Sequence, residues 1–307
     1  AQGLEDSNKL ARENAAAALA AYGERSLPLA TEKLSASRAE VADAAILALG
    51  RIRTRRAEDA LFEFMQADYR QVRQNLAWLE HIGSANGIWA PLRTAIEDSN
   101  QRTVRRVLHL LAAMGHERAL DCAQRILTTP DERARADAVE TLASLSHRRF
   151  VEPVLPLLEA QAAGPAGVQE GTAGTSDAQR VLREALESSD RWIRIGAMAV
   201  LCAEHSPVPP EALRDNPDPL IRAAVFHTLL VKSQAVLTRN APALKSSEEE
   251  FFMNRVIFLK KVPLFQYLSL DDLLIIDEAL AQKEFLAGET VFAEGSLNTM
   301  LSYDPMS

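Results

Sequence analysis

A pattern of about thirty residues recurs along most of this chain, and nothing else constrains its fold as tightly. The clearest copy runs from Asp68 to Glu97. Val72, Leu76 and Leu79 fall at helical spacing and share one face, with Arg73 just outside it. Gly83 and Gly87, with Ser84 and Asn86 between them, break the chain. Trp89, Leu92 and Ile96 then begin a second apolar stripe. One such helix–turn–helix cannot bury both of its faces, whereas copies stacked side by side can.

With Val72-Arg73 as the register mark, the same place is filled by Ala11-Arg12, Val41-Ala42, Val104-Arg105, Ala134-Arg135, Ile193-Arg194 and Ile221-Arg222. Successive marks lie 30, 31, 32, 30, 59 and 28 residues apart, the 59 being close to two periods. Four positions on come Ala15, Ala45, Leu76, Leu108, Ala138, Ala197 and Val225. Eight positions on, Leu19, Leu49, Leu142, Leu201 and Leu229 recur, so small residues let neighbouring helices approach and leucine fills the remaining gap. An acid precedes four of the marks, at Asp68, Asp131, Asp190 and Asp218, where a helix N-cap is wanted. Arg73, Arg105, Arg135, Arg194 and Arg222 then either reach an Asp of the adjacent copy, as an inter-repeat ladder of ion pairs, or solvate a helix flank. The joint recurrence of Asp and Arg favours the ladder.

Asp-x-x-Ile-Arg and Asp-x-x-x-Val-Arg starts followed by Ala/Leu helices resemble HEAT or HEAT-like repeats over about residues 5–231. The resemblance implies an all-α fold, a right-handed α-α superhelix of antiparallel helix pairs. Second helices are expected at Ser26–Leu34, Arg56–Met65, Ile88–Glu97, Glu117–Leu127 and Phe150–Ala160. Pro28, Pro91 and Pro153 fall in or near first turns, where a missing N–H does least harm, while Pro156 is expected to bend its helix. Residues 161–177, rich in Gly, Ala and Thr with no apolar period, read as a loop inserted into the 1–231 array.

Residues 232–250 carry no repeat signature and read as a linker to a different segment, 251–307. There Phe252, Val256 and Leu259 mark one helix, closed by Pro263 with Leu264-Phe265. Ser269-Leu270-Asp271-Asp272 begins another, continued by Leu273, Ile276 and Leu280. Phe285 to Phe292 reads as two short strands about Ala287-Gly288-Glu289. Pro263 and Phe265, Leu268-Ser269 with Asp272-Leu273, then Gly288-Glu289 and Glu294-Gly295, stand in the order and spacing that open a cyclic-nucleotide-binding domain, and this stretch resembles one. The resemblance implies a β-roll flanked by helices, with a later cassette for the nucleotide. The chain stops at Ser307, before that cassette, so only an incomplete β-roll start and no nucleotide site are expected in it. An initiator Met is absent, and the chain is expected to be a fragment of a longer protein.

The composition narrows the function. Apolar residues make up 47% and aromatics only 6%, with Ala and Leu dominant, which favours helices. A net charge of −8 lacks the cationic footprint that general nucleic-acid binding needs. Cys122 and Cys202 stand in separate predicted helices as buried free thiols, consistent with a reducing, cytoplasmic setting. No run approaches the length of a membrane span, so a membrane enters only through a domain preceding residue 1, as in the tail of a nucleotide-transporter-like membrane protein. Among His81, His109, His116, His147, His205 and His227, only His116-Glu117 forms the His-Glu pair that HEAT-type iron hydroxylases repeat, and one pair builds no two-metal site. Asp271-Asp272 reads as a capped helix start, and Trp78, Trp89 and Trp192 as packing residues. No phosphate-binding loop or nucleophile-elbow motif is present.

No catalytic residue, metal site or cofactor is therefore expected. The function expected is a non-catalytic scaffold with a protein partner on its concave face, the regulatory part of a larger protein that senses a cyclic nucleotide only in full-length form. The alternative is a HEAT-like enzyme such as a bilin lyase or a DNA glycosylase, which would need a tetrapyrrole-sized cavity or a basic groove.

Overall fold

Several helix starts in this chain are set by small polar side chains. Asn8 accepts from the Leu10 N–H, Thr54 from Ala57, Asp131 from Arg133, and Asp190 from Trp192 and Ile193. Each supplies an acceptor to a backbone donor that the first turn cannot satisfy itself. The computed structural model describes residues 2–36, 38–82, 87–116, 118, 119, 121, 122, 126, 131–163, 175–204, 216–226 and 252–280. Among these residues every regular element is helical. In order they are α1 (Lys9–Ala21), α2 (Leu27–Leu34), α3 (Ala39–Ile52), α4 (Arg55–His81), α5 (Ala90–Ala113), α6 (Glu132–Ala143), the short α7 (Arg148–Val151), α8 (Leu155–Ala163), α9 (Thr175–Leu186), α10 (Arg191–Ala203), α11 (Phe252–Lys261) and α12 (Leu270–Ala279). Residues 219–226 are helical as well.

Two expected breaks do not exist. Arg56–Met65 and the helix expected to begin at Asp68 are one 27-residue helix, α4. Ile88–Glu97 and the helix marked by Val104 merge likewise into the 24 residues of α5. The reason lies in both sequence and packing. Neither junction holds Gly or Pro, so the backbone has no cause to turn. At the second junction the polar residues are buried: Asn75 donates to Asn100 at 2.8 Å and accepts from Gln71 at 2.8 Å, while the Thr103 hydroxyl donates to the Ser99 carbonyl. A polar run that reads as a loop is thus the satisfied interior of a continuous helix. Asp68 consequently sits in the middle of α4 and caps nothing. Asp131, Asp190 and Asp218 do cap, Asp218 accepting from the Leu220 N–H at 2.9 Å.

The prolines expected in first turns stand at helix starts, and Pro156, expected to bend its helix, is the second residue of α8. Pro28 stands in the first turn of α2. Pro153 sits in the 3₁₀ turn Glu152–Val154 that separates α7 from α8, so the expected Phe150–Ala160 helix is divided. The loop expected over 161–177 is helical at both ends, since α8 runs to Ala163 and α9 starts at Thr175. Residues 164–174 lie outside the described residues, as do the expected domain boundary at 231, the linker 232–250 and the strands of 285–292 with Gly288, Glu289 and Gly295.

The chain divides into two compact units, Ala1–Ser84 with Ser99–Val181, and Ala85–Asp98 with Leu182–Ser307. The first has a continuous core that includes Leu19, Leu49, Leu61, Met65, Leu111, Leu142 and Phe150. Within it Gly50 of α3 meets the backbone of Ala113, and a Cβ there would lie 2.7 Å from the Ala113 carbonyl carbon. In the second unit Trp192, Ile193 and Met198 of α10 are fully buried, with Leu270 and Leu273 of α12. Trp192 meets Phe252 of α11 edge to face, centroids 6.4 Å apart. Pro263 opens the turn between α11 and α12, and the Phe265 N–H donates to the Val262 carbonyl inside it. Ser269 then starts α12 with a full capping box, its hydroxyl accepting from Asp272 N–H and the Asp272 carboxylate accepting from Ser269 N–H.

Candidate functional site

In the first unit one face of α5 is left partly open. Gln101, Val104, Arg105 and Leu108 fall at i, i+3, i+4 and i+7, so they line one stripe of the helix. With Leu158 and Gln161 of α8 and Ile126 they enclose a pocket of about 50 Å³. Its floor is aliphatic, since Val104, Leu108, Ile126 and Leu158 are all nearly buried. Its rim is polar: Arg105 is exposed, and Gln101 and Gln161 are half-buried. A floor of branched aliphatics under amide and guanidinium groups suits one apolar side chain with an acceptor beside it. It offers no nucleophile and no acid–base pair.

Arg105 is the only one of the sequence-predicted ladder residues that lines this pocket. The other ladder residues are distributed as follows. Asp68 is ion-paired with Arg106, the residue after Arg105, whose guanidinium also lies over the Phe64 ring. Arg73 is exposed on α4. Arg135 donates through Nε to the Ala162 carbonyl at 2.7 Å, tying α6 to the end of α8. In the second unit Arg222 donates to the carbonyls of Asn216 and Pro217 at 2.7 and 2.9 Å, within its own copy. Asp218 lies 3.9 Å from Arg191, three residues before Arg194, which stands half-buried on α10. Acid–base links between copies therefore exist at Asp68 and Asp218, through arginines displaced from the register mark.

The same unit contains a polar junction that sequence reasoning missed. Asp98, fully buried, accepts from the Leu270 N–H at 3.2 Å and lies 3.5 Å from Lys260 Nζ. Lys260 also donates to the Leu268 carbonyl. Asp271 accepts from the Trp192 indole N–H at 2.8 Å and from Arg191. Asp98 and Asp271 thus hold the α11–α12 pair against α5 and α10. The capping role expected for Asp271-Asp272 belongs to Asp272 alone. The tandem Arg105-Arg106 gave a hint that the partner of Asp68 could be displaced by one residue, but nothing in Glu97-Asp98-Ser99 distinguishes a buried anchor from a loop.

Among the described residues no group of three or more His, Cys, Asp or Glu side chains could hold a metal ion, and no helix is long and apolar enough to cross a membrane. Cys122 is buried and Cys202 half-buried, and neither forms a disulfide. A family model described as HEAT repeats matches residues 1–79 and 89–169, just over half of the chain. No curated protein matches the chain, and no solved structure does.

Proposed function

The chain belongs to the HEAT-repeat family, and from that premise we propose that it is a non-catalytic scaffold that grips a protein partner. The observation that carries this reading is the α5–α8 pocket, an aliphatic pit under a rim of Arg105, Gln101 and Gln161. Protein contacts are commonly anchored in this way, by one buried side chain inside a polar ring. The partner would insert an aliphatic side chain and place a carboxylate or carbonyl on Arg105. Such a contact fits a scaffold whose partner runs along the concave face of the array.

A photo-reactive residue at Gln101 tests this in the cells that make the protein. The expected result is a discrete protein adduct that weakens with Arg105→Glu. Adducts to nucleic acid, or none beyond an unirradiated control, would remove the reading.

A second proposal concerns residues 251–280. The turn at Pro263 and Phe265 and the capping box at Ser269 support reading α11 and α12 as the helical start of a cyclic-nucleotide-sensing module, complete only in a longer protein. On this reading the scaffold and the module together are the regulatory part of a larger protein. Calorimetry with cyclic nucleotides on a longer form of the protein, against the present chain, is the check: heat from the longer form only is expected, and none from either would end the proposal.

A further inference from the structure

Two histidines one repeat period apart, His116 and His147, meet in the first unit, and neither lines the pocket described above. His116 Nε2 lies 2.5 Å from His147 Nδ1, with the rings edge to face. His147 Nε2 lies 3.2 Å from Glu58 Oε1, in the first turn of α4. Ser146 Oγ stands 3.4 and 3.3 Å from the two facing nitrogens. Gly115, at φ 96°, turns the chain from α5 toward His116, a conformation that favours glycine. The register of stacked copies explains the meeting, since equivalent turns of neighbouring repeats lie side by side.

A neutral imidazole has one N–H and one lone pair. With no added proton, His147 Nε2–H donates to Glu58 and His116 Nε2–H donates to His147 Nδ1. With one added proton on the pair, one facing nitrogen still donates to the lone pair of the other. With two, both facing nitrogens carry hydrogen, neither keeps a lone pair for the other, and two positive rings oppose each other at contact distance.

The surroundings do not absorb the second charge. From α4 come Glu58 and Asp59. From α7 comes Arg149, its Nη1 2.7 Å from Asp59 Oδ1 and its guanidinium 5.1 Å from the centroids of both Phe62 and Phe150. Arg149 also approaches Glu58 at 3.6 Å, and the Arg53 guanidinium lies beside Gly115. Both carboxylates already face an arginine. Burial, and then His147 beside it, hold the His116 imidazole below its ordinary range.

We propose that Glu58, His147 and His116 form an acid-operated clasp, which joins the first turn of α4 to two inter-helix turns of the repeat array near neutral pH and releases them when both imidazoles carry a proton. The clasp regulates how tightly these copies stack. It is independent of the partner reading.

Hydrogen exchange and histidine NMR on the whole chain between pH 7.5 and 5.0 test it. After correction for intrinsic exchange, amides at 114–119 and 146–150 should exchange about tenfold faster in acid, as local opening predicts. His116→Gln and His147→Gln should each abolish that gain, because a single imidazole cannot oppose itself. If the variants open in acid as much as the parent, the clasp is refuted. Should both variants fail to fold, the parent's titration decides: coupled, two-step histidine shifts support the clasp, and independent single-site curves overturn it.

Discussion

Tyr69 shows how a single polar atom can fix a long-range contact. It is almost fully buried in α4, and its hydroxyl donates to the Phe150 carbonyl at 2.9 Å, across 81 residues of sequence. Burial, and then the charge of Asp68, push its phenol well above the usual range, so it stays a donor at any working pH. Tyr69→Phe removes the donor and this hydrogen bond, which costs about 0.5–1.5 kcal/mol; urea unfolding should report the loss, and an unchanged midpoint would contradict the contact. His116 contributes with a definite sign. Its proton is held less tightly in the folded chain than in the unfolded one, so its contribution to stability is fully present above the ordinary imidazole range and falls as pH drops through it. Melting temperatures at pH 7.5 and 5.5 should differ more for the parent than for His116→Gln. At this scale the sequence was readable in the repeated leucines and not in the repeated arginines. The leucines eight past the mark, Leu142 and Leu201, are buried, and Leu142→Ala should cost about 2–5 kcal/mol. Asp98 was not readable, because a carboxylate anchored by Lys260 and a backbone N–H is set by residues more than 150 positions away.

Among the elements, α10 has a glycine where a side chain would not fit. A Cβ on Gly196 would lie 2.8 Å from the Leu92 Cα and the Pro91 carbonyl oxygen at the start of α5. Gly196→Ala should therefore destabilise the second unit by about 1–3 kcal/mol, despite the better helix propensity of alanine. A melting curve raised by the substitution would mean that α10 and α5 are not in contact. Periodicity placed Leu92 and Ile96 on the buried face of α5. On α4, however, Val72 is buried beside Asn75 and Trp78 while Leu76 and Leu79 are only half-buried, and the ends of both helices were misplaced. Two helices in phase across a polar junction give the same stripe as one long helix, and only the hydrogen bonds of Asn75, Asn100 and Gln71 decide between them. The starts of α6, α10 and α12 were legible because their caps are local, set within three residues of Asp131, Asp190 and Ser269.

On the scale of the molecule, the repeat rhythm and the family agree, and the polar junction of the second unit extends what either describes. Asp98 is fully buried against Lys260, so Asp98→Ala leaves a shielded ammonium without its carboxylate, a change that costs about 3–5 kcal/mol. Protease susceptibility of the α11–α12 pair should rise with it, whereas resistance equal to the parent would show that the pair is held by apolar packing alone. The central claim is that the chain is a scaffold whose partner seats on the α5–α8 pocket, and the dissociation constant of the captured partner tests it most directly. Arg105→Glu, in a chain that melts like the parent, should weaken that constant about tenfold or more, as loss of an anchoring contact does. An unchanged constant would contradict the account.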